Sequence, residues 1–243
     1  MLALEVKNLK KSFRIFFKKV VVLKKVDLEV NQGEIYGFIG PNGAGKTTTI
    51  KCILGFLKYD EGEVKILGKN PHTDTEVFHQ IGFAPENTYF YDHLTGEEFL
   101  WFMGMLAWMN KSEIGLRTMA LLEKVGLLEA RKKLIKSYSK WMRQRLGIAA
   151  AIINDPQILF FDEPMSWLDP LGRILVKDLM KELKSQGKTI FFNTHILSDV
   201  QEIADRFSMI YDGRIIFEGS IEDIQGQNLE KFFIEKIKEV KAG

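Results

Sequence analysis

Cysteine is almost absent from this 243-residue chain. Cys52 stands alone, which excludes an internal disulfide framework and suits a reducing compartment. Net charge is nearly absent as well. Lys and Arg number 34 against 32 Asp and Glu, a formal +2, so composition gives no reason to expect a nucleic-acid or membrane-surface binder. Long hydrophobic runs are missing. The most apolar window, FLWFMGMLAWM (Phe99–Met109), would cover about 16 Å as a helix, against ~30 Å of bilayer hydrocarbon. It does not span a membrane, and it reads as a buried helix rather than as a docking surface for an apolar partner. The opening MLALEVKNLKK has neither an apolar core nor a small-residue cleavage site, so no signal segment is read there. No repeat and no low-complexity linker interrupts the chain. His72, His79 and His93 show no metal-ligand spacing and are read as loop or surface residues.

What is present, 46% hydrophobic and 27% charged residues, suits a globular protein with a sizeable core. The length fits one large α/β domain, or one domain carrying a subdomain. To about Gly68 the chain is strand-rich. VVVLKKVDLEV is β-branched, Asn31-Gln32-Gly33 is turn-like, GEIYGFIG is a buried strand, and EGEVKILGKN alternates. Between these strands KTTTIKCIL reads as a helix stopped by Gly55. From 87 to 154 the character changes to helical patterns after the turn His93-Leu94-Thr95-Gly96. SEIGLRTMALLEKVGLL is one of them, with Ser112 as its cap and Gly126 at its end. From Asp155 the α/β rhythm returns: QILFFDEP, the amphipathic RILVKDLMKELKSQG, KTIFFNTH, and LSDVQEIAD with Ser198 and Gln201 at capping-box spacing. Asp212-Gly213 between apolar runs signals a hairpin. The expected division is an α/β core with a β subdomain (1–86 and 155–224), an inserted helical subdomain (87–154) and a helical tail (225–243).

Chemistry concentrates at three strand ends. GPNGAGKTT (Gly40, Pro41, Asn42, Gly43, Ala44, Gly45, Lys46, Thr47, Thr48) fits the P-loop pattern between a predicted strand and a predicted helix. Its glycines let successive backbone N–H groups approach phosphate oxygens, and the helix dipole adds to that field. Lys46 is expected to reach the β- and γ-phosphates, and Thr47 to offer its hydroxyl to Mg²⁺. QILFFDEP puts Asp162 and Glu163 at the C-terminal end of an apolar strand, where parallel sheets bind ligands. Asp162 suits Mg²⁺ through water, and Glu163 suits the general-base role toward an attacking water. His195 ends TIFFNTH and is expected to contact the γ-phosphate. YSKWMRQRLG (Tyr138–Gly147) reads as a helix start capped by Ser139, with Arg143, Arg145 and the dipole giving a positive field. The basic cluster Arg131-Lys132-Lys133-Lys136-Lys140-Arg143-Arg145 reads as a solvated helical face, not a nucleic-acid surface.

In order and nearly from end to end, Leu4 to Glu222, these segments resemble the ATP-binding subunit of an ABC transporter. GPNGAGKTT resembles the Walker A motif, ILFFDEP Walker B with its glutamate, SWLD the D-loop and His195 the switch histidine. YSKWM resembles the signature, usually Leu-Ser-Gly-Gly-Gln. The resemblance implies an α/β fold: a P-loop NTPase core with a mostly parallel sheet, an N-terminal antiparallel β subdomain and an inserted helical subdomain. It implies ATP and Mg²⁺ as ligands, Phe13 stacking on adenine with Phe16 or Phe17 as substitutes, and Glu86 near Mg²⁺ where the family commonly has Gln. Two such subunits, identical or close paralogues, would pair head to tail. Ser139, Lys140, Trp141, Met142 and Asp169 of one would then meet the ATP held by the other. Membrane-spanning permease subunits would be the partners, with the chain peripheral at the cytoplasmic face of the membrane. The wording of YSK…RQRLGIAAAIINDPQILFFDEP most resembles the multidrug and antibiotic exporter branch.

Two residues conflict with that picture. Trp141 and Trp167 stand where the family has glycine, and a side chain at the signature glycine blocks approach of its backbone N–H to phosphate. Three explanations are open. The site is degenerate and the chain is a non-hydrolysing nucleotide-binding regulator; or the rings point outward and are tolerated; or the positions are glycine in the cell, encoded by UGA under a code that reads it so. Trp108 also falls where relatives often carry glycine, and Met165 replaces a usual Thr.

Overall fold

The computed structural model describes residues 1–224 and 226–242. The two bounding residues of the expected tail, 225 and 243, lie outside the described residues. The described residues form a nine-stranded sheet ordered β4-β1-β2-β9-β8-β3-β7-β6-β5. Its strands are β1 (Leu2–Ile15), β2 (Lys18–Asn31), β3 (Ile35–Ile39), β4 (Glu61–Ile66), β5 (Ile81–Ala84), β6 (Ile158–Asp162), β7 (Thr189–Thr194), β8 (Arg206–Tyr211) and β9 (Arg214–Ser220). β3 runs parallel to β7 and β8, and β6 runs parallel to β5 and β7. β1 is antiparallel to β2 and β4, and β8 to β9. The fold is thus a mixed α/β arrangement: a parallel centre extended by antiparallel strands at one end.

The central strands are apolar at nearly every position because both faces of the sheet are covered. Every residue of β3, β6 and β7 is buried. Their side chains alternate between two cores, as the period of 2 requires. Tyr36, Phe38, Phe160 and Phe191 enter the core shared with β1, β2, β4 and helix α1 (Lys46–Ile53). Ile35, Ile39, Phe161 and Phe192 enter the other, shared with α4 (Lys140–Ala151) and α5 (Pro170–Ser185). Phe191 is the hub of the first core, its ring 5.5–5.7 Å from those of Tyr36, Phe38 and Phe160, within the range of favourable aromatic contact.

Helices α2 (Gly96–Leu106) and α3 (Lys111–Lys124) pack beside α4 in the segment between β5 and β6. Helix α6 (Leu197–Ile203) follows β7, and α7 (Leu229–Ala242) packs on α6 and β9. The hairpin at Asp212-Gly213 has both residues left-handed, at φ 47° and 73°, as a type I′ turn needs.

Three local expectations are corrected. Ser112 does not cap α3: the helix starts earlier, with Asn110 in the cap position. Ser198 does not cap α6. That helix begins at Leu197 after Ile196, whose N–H is taken by Thr194 Oγ1 at 3.0 Å. The window Phe99–Met109 is not a buried helix throughout. Phe99, Leu100 and Gly104 are buried, whereas Met105, Leu106 and Trp108 are exposed, so an apolar face of α2 meets solvent. Thr95 and Glu98 close a capping box at its start: Thr95 Oγ1 accepts from Glu98 N–H at 3.2 Å, and Glu98 Oε2 accepts from Thr95 N–H at 2.8 Å.

Trp108 carries the most telling backbone. The α2 chain end closes through Trp108 N–H to Met105 O (3.0 Å) and Met109 N–H to Gly104 O (3.1 Å). This forces Trp108 to φ 59°, the left-handed terminus that glycine usually occupies. The side chain is 88% exposed and gains little from packing. Replacing Trp108 by Gly is therefore expected to stabilise the fold by about 1 kcal/mol. That would raise Tm by about 2–4 °C in a thermal denaturation scan. A Trp108→Ala variant, which keeps the Cβ strain, is expected to show no such gain.

Candidate active site

The register of the parallel strands gathers the candidate residues at one sheet edge. Ile39 pairs with Thr194 and Asp162 with Asn193, so the loop after β3, the acids ending β6 and the residues ending β7 emerge together. The loop 40–45 turns tightly before α1. A Cβ at Gly40 would lie 2.4 Å from the Ile210 carbonyl oxygen, so only glycine fits. Gly45 sits at the N-cap of α1 with φ 111°, a conformation that side chains resist.

Lys46 is folded back over this loop. Its Nζ donates to Gly40 O at 2.8 Å and lies 3.5 Å from Glu163 Oε1, with the side chain 6% exposed. Thr47 Oγ1 donates to Asp162 Oδ1 at 3.1 Å. Burial pushes the Asp162 carboxyl above the usual carboxylate range, against hydrogen bonds from Asn193 and Thr47 that favour its charged form. A nearby cation would relieve that burial cost. The donors on offer, a hydroxyl and a carboxylate with Glu86 on the same wall, are hard oxygens of the kind Mg²⁺ prefers. Among the described residues no group of three or more His, Cys, Asp or Glu forms a closed metal cage.

Glu163 lies one residue beyond β6 at φ 52°, a left-handed conformation uncommon for a residue with a side chain. Its Oε2 is 2.9 Å from His195 Nδ1 and accepts from the His195 backbone N–H at 3.4 Å. Its own N–H donates to Asn193 Oδ1 at 2.7 Å. Asn193 Nδ2 in turn donates to Asp162 Oδ1 at 2.6 Å. Sequence reasoning missed Asn193, although an amide inside the apolar run TIFFNTH was a visible signal. It also missed Ser166, whose Oγ donates to Glu163 O at 2.9 Å.

Around these groups opens a cleft of about 650 Å³. It is lined by Asn42, Gly43, Gly45, Lys46, Thr47, Thr48, Glu86, Glu163, Ser166, Trp167 and His195, together with Val22 from β2. Such a volume is typical of small-molecule sites. Phe13 is half-buried on the β1–β2 hairpin, paired with Val20 and with Lys11 Nζ 5.0 Å from its ring. It does not line the cleft.

Ser139, Lys140, Trp141 and Met142 also stand outside the cleft, at the start of α4, where Ser139 Oγ accepts from Met142 N–H at 3.3 Å. Asp169 caps α5 by accepting from Gly172 N–H at 2.7 Å. Both tryptophans are partly exposed and stacked by cations: Arg145 lies 4.2 Å from the Trp141 ring and Lys140 Nζ 4.4 Å from the Trp167 ring. The basic cluster is not wholly a solvated face. Arg145 is 6% exposed, while Arg131 pairs with Glu97 and Arg143 with Asp92.

Comparison with known proteins gives this geometry a context. A family model described as ABC transporter matches residues 23–166. The chain is 47% identical over 213 residues to an uncharacterized ABC transporter ATP-binding protein of Synechocystis, covering 87% of this chain and 60% of that protein. It is 35% identical to the lantibiotic transport ATP-binding protein SrtF of Streptococcus pyogenes, covering 96% and 97% of the two chains. Among solved structures it is similar to a dimeric, post-hydrolysis ATP-binding cassette, MJ0796, bound to ADP and Pi. There the TM-score is 0.83 and the identity 26%, over 90% of this chain and 98% of that one. Against the Synechocystis relative, then, the chain spans less than two thirds of the length.

Two of the loop glycines should respond differently to a methyl group. Gly40→Ala is expected to lose about 1–3 kcal/mol of stability, because its Cβ meets backbone that cannot move aside. Gly43→Ala has nothing within 4 Å of the new Cβ but keeps φ near 80°, so its cost should be limited to about 1 kcal/mol. Urea denaturation of the two variants checks the order.

Proposed function

Because the chain belongs to the ABC transporter ATP-binding family, we propose that it is the ATP-hydrolysing motor subunit of a transporter. The observation that carries this reading is the one cleft lined by Lys46, Thr47, Glu163 and His195, with Asp162 hydrogen-bonded to Thr47 behind its wall. A chain retired from catalysis has no need to hold Glu163 in a disfavoured backbone conformation beside His195.

In this reading Gly40–Thr48 cradle the phosphates of ATP. Lys46 exchanges its bond to Gly40 O for the β- and γ-phosphates. Thr47 and Asp162, with Glu86 nearby, hold Mg²⁺, which when bound neutralises charge on the phosphate oxygens. Glu163 takes the proton of the attacking water at a carboxylate oxygen. His195, already 2.9 Å from Glu163, orients that carboxylate and contacts the γ-phosphate. Phe13 stacks on adenine after a shift of the hairpin. A second subunit, identical or a close paralogue, completes each site with Ser139, the residues at 140–142, and Asp169; the dimeric cassette to which the chain is similar supports this arrangement.

The partners are membrane-spanning permease subunits, and the chain is peripheral at the cytoplasmic face of the membrane. Among the described residues no helix is long and apolar enough to cross a membrane. The exposed apolar residues Tyr89, Tyr91, Met105 and Leu106 supply a surface that a partner would cover. Export is favoured by the likeness to a lantibiotic transport protein. Nucleic acid is not a partner in this reading.

The tryptophans decide how well the motor runs. We read positions 141 and 167 as glycine in the translated protein, encoded by UGA. The left-handed Trp108 supports this, since its backbone too is of the kind glycine serves. The alternative, a non-hydrolysing regulatory subunit, is favoured by the cation stacks that give both rings a place in the single subunit.

Codons at 141 and 167 separate the two: UGG at both overturns the glycine reading. On the protein, the Trp141→Gly/Trp167→Gly form is expected to hydrolyse ATP at least about tenfold faster than the chain with tryptophan, as for restored transition-state contacts. With Glu163→Gln added, it should dimerise on ATP in size-exclusion chromatography. Equal turnover with and without the tryptophans would show that the steric conflict is not real.

A further inference from the structure

We propose that Asn193 is the positioning residue of this site, setting the Mg²⁺-side carboxylate of Asp162 and the backbone of Glu163 with the two ends of one amide. The inference rests on reading the cleft as an ATP–Mg²⁺ site. Asn193 is fully buried in a strand whose central residues are Ile190, Phe191 and Phe192. A buried amide is costly there unless its polar atoms are engaged.

Here both ends are used, and on different targets. Nδ2 donates to Asp162 Oδ1 at 2.6 Å, and Oδ1 accepts from Glu163 N–H at 2.7 Å. Asp162 Oδ1 also accepts from Thr47 at 3.1 Å. The carboxylate is therefore pinned between strand β7 and the first turn of α1, directly behind Thr47, which lines the cleft.

The second bond matters because of the chain reversal after β6. At φ 52° Glu163 leaves the strand geometry, and its ladder bond to the Asn193 backbone oxygen is long, at 3.2 Å, which leaves room for a closer acceptor. The Asn193 side-chain oxygen supplies one, at the point where the Glu163 side chain must turn toward His195. A short side-chain amide holds a carbonyl acceptor and N–H donors in one fixed plane, so a single group can serve two targets. Leucine would fill the same space with neither; serine would keep one hydroxyl able to serve a single target.

The test measures binding of the non-hydrolysable analogue AMP-PNP by calorimetry, in EDTA and in saturating Mg²⁺, for the parent chain and for Asn193→Leu and Asn193→Ser. The parent is expected to bind more tightly with Mg²⁺; if Mg²⁺ makes no difference to the parent, the reading of the cleft itself is overturned, before any variant is compared. Asn193→Leu is expected to bind the analogue within about twofold of the parent in EDTA. Its gain from Mg²⁺ should fall by about 10–100-fold, the usual cost of losing a group that orients a metal ligand. Asn193→Ser should recover part of that gain. Either of two results would overturn the proposal: a leucine variant that keeps the parent's Mg²⁺ gain, or variants that lose affinity equally with and without Mg²⁺, as a merely structural residue would.

Discussion

Everything at the candidate site depends on the register of three parallel strands. β3, β6 and β7 are buried on both faces, and their phenylalanines divide between two cores on a strict alternation. A slip of one residue would drive each aromatic into the wrong core. Because that slip is prohibitive, Ile39 ends level with Thr194, and Asp162 ends one residue short of them, opposite Asn193. The P-loop, the acid pair and the His195 segment then have a common origin from which to turn. The chemistry is placed by the packing of the strands that lead into it.

At that edge the cleft balances its own charges. Lys46 and Glu163 are both nearly buried, yet neither is stranded: the ammonium leans on Gly40 O, and the carboxylate is shared by Lys46 and His195. Such a network is costly to break from one side only. An incoming polyphosphate breaks it from both sides at once. It draws Lys46 toward negative oxygens and leaves Glu163 to His195 and to water. The ligand thereby replaces one satisfied arrangement with another and does not have to expose an unpaired charge.

Much of this was legible in the sequence, for reasons that differ by residue. The P-loop could be read because its spacing and its left-handed Gly45 belong to a turn of six residues, although the contact that forbids a Cβ at Gly40 comes from the distant Ile210 carbonyl. β3, β6 and β7 could be read because double-sided burial leaves unbroken apolar runs. The helix over 96–106 could be located, but not its exposed face, since a window apolar on both sides carries no periodicity to say which side is covered. The caps of α3 and α6 were misplaced by a residue or two because a serine near a helix start competes with the backbone's own choice of where to begin. Asn193 stood out as an amide in an apolar run, but its role could not be read: its partners lie 30 and 31 residues away, and only the strand register brings them alongside.

The tryptophans follow the same division between local and distant constraint. At Trp108 the conflict is local, a left-handed helix terminus carrying a large exposed side chain, and the single subunit suffices to reveal it. At Trp141 and Trp167 the single subunit shows no conflict at all, because each ring lies partly exposed beneath a cation. A clash at those positions arises only when a second surface must come close to the start of α4 and to the loop after β6. A chain that folded and worked alone would therefore have no reason to avoid these residues. In the proposed dimer, whatever makes them costly lies in the approach of a partner, so the same two positions that look tolerable in isolation would be the ones on which assembly depends.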